Sequence, residues 1–151
     1  DYKLILYSDK TSKRIIGWNI SLNDDTDNAL RAYRRAKRYL KKMKVNLKAV
    51  IIHQDQDSVF TGYEYAGTPL NDDVSLSFTE RGFKDNPCME SRNGHFKDEY
   101  GELIQEADNL EKAVKIVRKC VFDWNGDRIH SSLKGRSPDE FLRAFYKIKR
   151  N

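Results

Sequence analysis

Residues 48–53 centre on an unbroken apolar run, Ala49-Val50-Ile51-Ile52, followed at once by the polar stretch His53-Gln54-Asp55-Gln56-Asp57-Ser58. A strand wetted on one face alternates apolar and polar residues; a continuous run fits a strand covered on both faces. Such a strand needs a sheet with helices on either side, which places the chain among α/β domains. The position of Asp55 adds a chemical constraint. A charge at the end of a buried strand requires a partner or a metal ion. Asp57, two residues on, points to the same side if the strand continues, and otherwise serves the turn before Ser58.

The neighbouring segments supply the rest of such a domain. Residues 2–8 and 14–21 are rich in β-branched and aromatic residues and flank Asp9-Lys10-Thr11-Ser12-Lys13, which predicts an antiparallel pair. Asn23-Asp24-Asp25-Thr26 offers caps for a helix to about Lys44, with Ala29, Leu30, Tyr33, Ala36, Leu40 and Met43 at helical spacing. Val74 to Phe78 alternates like another strand, and residues 80–85 read as a mobile loop. Asn86-Pro87 predicts a helix start, with that helix running to about Tyr100 through Gly94. Asp108-x-x-Glu111 reads as a capping box before a stripe of Leu110, Ala113, Val114, Val117, Val121 and Trp124. Ser137-Pro138-Asp139-Glu140 opens a last helix that buries Phe141, Leu142 and Phe145. With no repeat or linker, residues 1–151 read as one domain, long enough to bury a core.

Composition narrows the class of partner. Charged residues make up 34% of the chain and the formal net charge is +5, which favours a polyanionic partner. Cys88 and Cys120 have no companions at zinc-site spacing and read as reduced thiols of a cytoplasmic protein. No apolar run reaches membrane-spanning length, and no signal-peptide pattern is present. The sequence opens on Asp1 without an initiator Met, so the expectation is a piece of a longer protein.

Three constellations could carry chemistry. Glu90, Asn93 and Lys97 recur at i, i+3 and i+7, which on the expected helix puts them on one face. There Glu90 could ligate a metal while Lys97 contacts a phosphate; the alternative is an ordinary solvated face. In Trp124-Asn125-Gly126-Asp127-Arg128-Ile129-His130, Arg128 can grip a phosphate with two hydrogen bonds and His130 can donate to one. The alternative is a structural turn in which Arg128 pairs with Asp127 or a helix C-terminus. The helix at 26–44 carries eight Lys or Arg residues, which suits a DNA-facing helix, a solubilising face or a subunit contact. His53 and His95 lack companions at metal-site spacing and read as packing or hydrogen-bonding residues.

In order along the chain, four segments resemble the catalytic core of DDE transposases and retroviral-type integrases, above all those of bacterial insertion sequences. Asp9-Lys10-Thr11-Ser12-Lys13-Arg14-Ile15-Ile16-Gly17-Trp18 is similar to D-x-x-S-R-x-I-V-G-W. His53-Gln54-Asp55-Gln56-Asp57-Ser58-Val59-Phe60-Thr61 is similar to H-S-D-x-G-S-x-Y-T. Asp85-Asn86, Glu90-Ser91, Lys97 and Glu99 follow D-N-x-x-x-E-S…K-x-E, with 34 residues between Asp55 and Glu90. Trp124-Asn125-x-x-Arg128-x-His130-x-x-Leu133 and Ser137-Pro138 resemble Y-N-x-x-R-x-H-x-x-L…S-P. The resemblance implies an RNase H-like fold, a mixed five-stranded sheet flanked by helices. It implies a polynucleotidyl transferase that uses two Mg²⁺ or Mn²⁺ ions for cleavage and strand transfer in DNA transposition and integration. Asp55 and Glu90 would be catalytic metal ligands, and Lys97, Arg128 and His130 would bind the DNA of element ends and target, in a homo-oligomer. The family's first aspartate has no counterpart here, since Asp1 and Asp9 fall at other positions. The expectation is that the first strand and its acid are missing, leaving this piece inactive alone. Asp57 stands where the family has Gly. The competing expectation is a degenerate integrase-like module that binds DNA or partners without cutting; a third is a nuclease of RNA–DNA hybrids.

Overall fold

In the first strand, β1 (Lys3–Asp9), alternation sends Leu4 and Leu6 to one face and Ile5 and Tyr7 to the other, and all four are buried. The computed structural model to which this strand belongs describes residues 1–23, 26–53, 63–77, 88–90 and 94–150. A tight turn joins β1 to β2 (Ile15–Ser21), and the antiparallel register runs from Lys3 opposite Ser21 to Ser8 opposite Ile15. The expected hairpin is therefore present. Its register slips between Tyr7 and Ser8, so β1 carries a bulge near its end.

Helix α1 (Thr26–Lys42) covers one face of this hairpin with an inner stripe of Ala29, Ala32, Tyr33, Ala36 and Leu40. Three alanines allow close approach, and Gly17 completes it. A Cβ on Gly17 would lie 2.5 Å from the Ala32 carbonyl oxygen and 2.8 Å from the Ala36 Cβ. The apolar run at 48–53 divides into a short 3₁₀ turn (Leu47–Ala49), capped by the Asn46 side chain, and strand β3 (Ile51–His53). Helix α2 (Tyr63–Asn71) leads to β4 (Ser75–Ser77), and β5 is Cys88–Glu90. The sheet order is β2-β1-β5-β3-β4, with β1 antiparallel to both neighbours and β5, β3 and β4 parallel.

Strand β5 corrects the expected helix from Pro87 to Tyr100. Met89, only 2% exposed, inserts into the core under α1, and β5 pairs with β3 on one side and β1 on the other. Period-two packing inside a sheet outweighs the local cap signal at Asn86-Pro87, a dipeptide outside the described residues. Helix α3 (Gly94–Gln105) starts at the glycine expected in its middle and buries Phe96 and Ile104. Helix α4 (Leu110–Gly126) is capped by Asn109, which accepts from the Lys112 amide at 2.9 Å; Asp108 pairs with the Lys112 ammonium instead. Ser137 caps α5 (Pro138–Arg150) as expected, its Oγ accepting from the Glu140 amide at 3.2 Å. The expected loop at 80–85, Asp55 and Asp57 lie outside the described residues.

Helices α3 and α4 close the other face of the sheet over Leu4, Leu6, Ile15 and Ile20. Phe96 and Trp124 meet edge to face there, with centroids 5.5 Å apart. Cys120 is a free, buried thiol of this core. No helix among the described residues is long and apolar enough to cross a membrane.

Candidate active-site end of the sheet and its basic cleft

Strand pairing, rather than helix spacing, positions Glu90. Its register partner on β3 is His53 and its partner on β1 is Ser8, so the three residues form one row across the middle of the sheet. The bulge in β1 falls between Tyr7 and Ser8, at the edge of this row. Bulges re-aim side chains at the ends of strands. The Nδ1 atom of His53 is buried without a hydrogen-bond partner among the described residues. Asp9, the next residue of β1, is committed to the turn: its Oδ2 accepts from the Ser12 amide at 3.1 Å and the Ser12 hydroxyl at 2.5 Å.

Ser8 also lines a polar cleft of about 550 Å³, with Lys13, Gly94, His95, Trp124, Arg128, His130, Ser131 and Ser132 among its walls. Helix α4 builds this cleft by seizing the hairpin. The Trp124 indole N–H donates to the Lys13 carbonyl at 2.8 Å. The buried Asn125 amide accepts from the Ile15 N–H at 2.8 Å and donates to the Ile15 carbonyl at 3.0 Å, in place of a further strand. Both side chains thus serve structure at the C-terminal end of α4. They hold Lys13 at the cleft.

Arg128 lies over the Trp124 ring, its guanidinium 4.8 Å from the centroid, and forms an ion pair with Glu99. Its predicted alternative partner, Asp127, is not used; the Asp127 amide closes the helix on the Asp123 carbonyl. The Nη1 of Arg128 also lies 3.1 Å from His130 Nδ1. Arginine can only donate, so Nδ1 accepts and the neutral ring carries its proton on Nε2. Burial, then Arg128 and Lys13, hold the His130 pKa below its ordinary value, outweighing the opposing effect of Glu99. Nε2 itself is buried with no partner among the described residues, so His130 orients Arg128 from behind.

The structure brings Arg128 and His130 together and adds Ser8, Lys13, His95, Ser131 and Ser132, which sequence reasoning missed. Lys13 had a signal, a cation in the turn of a hairpin; the serines had none. His95 is exposed rather than packed. Lys97 does not join this cleft. It lines a separate groove of about 280 Å³ with Tyr2, Lys3, Leu4, Gly101, Ile104 and Gln105. Glu90 and Lys97 therefore do not share one helix face, because Glu90 is on β5 and Lys97 on α3. Magnesium and manganese prefer several oxygen ligands. Among the described residues no three His, Cys, Asp or Glu side chains stand together to hold a metal ion. The described residues alone thus do not form the implied site, and Asp55 lies outside them.

Comparison with known proteins agrees with this architecture. Residues 72–138 match the model of the integrase core domain family. No curated protein matches the sequence. Among solved structures, the chain is similar to the HTLV-2 integrase catalytic core domain in complex with magnesium. The trimeric form is 15% identical with a TM-score of 0.63, covering 93% of this chain and 84% of the other. The dimeric form is 16% identical with a TM-score of 0.60, covering 93% and 82%. The chain carries the integrase core domain match from Asp72 to Pro138, on a mixed α/β, RNase H-like fold shared with a retroviral integrase catalytic core.

Proposed function

We propose that this chain is the catalytic core of a transposase or integrase, acting on DNA ends and target DNA as a metal-dependent polynucleotidyl transferase. One observation carries the reading: Ser8 belongs both to the row that contains Glu90 and to the basic cleft of Lys13, Arg128 and His130. A carboxylate-bearing strand thus abuts a place for phosphate. Asp55 follows His53, Glu90's register partner, by two residues, and Asp55 and Glu90 would together hold Mg²⁺ or Mn²⁺. When bound, such ions supply Lewis-acid stabilisation of an in-line displacement at phosphorus. Lys13 and Arg128 bind the phosphate, with His130 accepting from Arg128 to fix its fork. Lys97 meets the DNA farther along α3. Self-association follows the precedent of the dimeric and trimeric forms.

The test is a chain extended upstream of Asp1, assayed with Mn²⁺ for nicking and joining of terminal-repeat DNA. Glu90→Gln is expected to abolish both. Full activity in that variant overturns the catalytic assignment. A second reading, a degenerate module that binds DNA without cutting, is favoured by Asp57 at the position where the resembling family has Gly. It predicts salt-dependent DNA binding with no metal requirement and no cleavage by the extended chain.

A further inference from the structure

The two long cations that line the cleft, Lys13 and Arg128, are not equally available. The Nε of Arg128 donates to Glu99 Oε2, and its Nη1 faces the Ile129 carbonyl at 3.2 Å and His130 Nδ1 at 3.1 Å. Its Nη2 takes no hydrogen bond among the described residues. Lys13 takes no ion pair among those residues. One cation of the cleft thus carries a counter-ion, Glu99 of α3, and the other does not.

Positioning does not account for this carboxylate. The Trp124 ring, 4.8 Å from the guanidinium, the Ile129 carbonyl and His130 Nδ1 already hold Arg128 from other directions. Stability does not account for it either. The Arg128 and Glu99 side chains are 33% and 41% exposed, and an ion pair so open to solvent contributes little to folding. What remains is charge. Glu99 cancels the unit charge of Arg128 beside the place where a phosphate meets Lys13 and Nη2. Its field reaches the cleft wall: burial, Arg128 and Lys13 lower the His130 pKa, and Glu99 opposes them.

We propose that Glu99 is a built-in counter-ion that competes with phosphate for Arg128 and so limits how tightly the cleft holds it. The inference rests on the phosphate reading of the cleft and deepens it by naming the residue that weakens the hold. The test titrates inorganic phosphate, in EDTA at pH 7.5, into the 151-residue chain and follows the Trp124 indole N–H by NMR. Glu99→Gln keeps an oxygen acceptor for Arg128 Nε and removes the charge. It is expected to bind phosphate about three- to tenfold more tightly at low ionic strength, the gain shrinking as salt rises. This is a direction that a merely structural residue would not produce. Glu102→Gln on the same helix makes the same change in net charge at a side chain with no ion pair among the described residues. Its affinity is expected to move by less than about twofold. If Glu99→Gln fails to fold by circular dichroism, Glu99→Ala takes its place with the same expected gain. Phosphate binding by the unaltered chain with no gain in the Glu99 variant overturns the counter-ion role and leaves the cleft reading standing. Equal gains in the Glu99 and Glu102 variants reduce the effect to net charge and also overturn it. No response to phosphate in any of these proteins removes the cleft reading and the inference together.

Discussion

The two faces of the sheet are built on different plans. Under α1 the contacts are small and apolar: three alanines, Gly17, and Tyr7 edge-on to Tyr33 at 6.4 Å. Polar groups there serve packing, as when Asp72 accepts from the Tyr33 hydroxyl at 2.8 Å and from Lys37 at 2.9 Å. Under α3 and α4 the core is aromatic and reaches the surface. Trp124 is 3% exposed, yet it packs on Phe96, carries Arg128, contacts the His130 ring at 4.6 Å and holds Lys13. One face stabilises the fold alone. The other stabilises the fold and shapes the cleft with the same side chains.

Substitutions can break that contrast. The largest effect is expected for Trp124→Ala, which should cost about 3–5 kcal/mol in urea unfolding and also abolish phosphate binding in the cleft. Gly17→Ala drives a methyl into the α1 backbone and should cost about 3 kcal/mol, while folded protein keeps its cleft affinity. A loss of cleft binding by folded Gly17→Ala would show the two faces to be coupled. Asp72→Asn removes a partner of Lys37 and should cost about 1 kcal/mol. Burial pushes the Asp72 carboxyl up, but hydrogen bonds from Lys37 and Tyr33 outweigh it and hold its pKa below the usual range. Its contribution is therefore present above the unfolded carboxylate range and lost as pH falls through the depressed folded value.

The smallest effect concerns His130. Its pKa is depressed, so the neutral ring favours the fold above about pH 6.5, and that contribution fades as pH falls through the lower folded value. Protonation also removes the acceptor that Nδ1 offers Arg128. The unaltered chain should thus lose more stability between pH 7.5 and 5 than His130→Gln does, by urea unfolding at each pH. Identical pH profiles would remove His130 from the account.

What the sequence disclosed follows from where each element draws its stability. The hairpin and the amphipathic helices α1 and α4 were legible because their burial patterns recur within a few residues; α5 starts at its expected cap, but Phe141 and Leu142 are only half-buried and Phe145 is exposed. Strand β5 was not legible, because three residues become a strand only through partners at His53 and Ser8, far away in the chain. Sequence spacing also set Glu90 and Lys97 on one helix face, whereas Glu90 lies on β5 and Lys97 on α3. Likewise, the pairing of Arg128 with Glu99 spans 29 residues and leaves no local signature. The motif order nonetheless pointed to the integrase-like fold, since it depends on sequence order and not on element boundaries.

The proposed metal-binding end of the sheet lies at the row of Ser8, Glu90 and His53. Amide NMR spectra of the 151-residue chain during Mn²⁺ addition test it most directly, because paramagnetic broadening reports proximity without requiring turnover. Selective broadening is expected at Ser8, His53 and Met89, and is expected to be lost in Glu90→Gln and in Asp55→Asn. Broadening centred elsewhere, or unchanged in both variants, would contradict it.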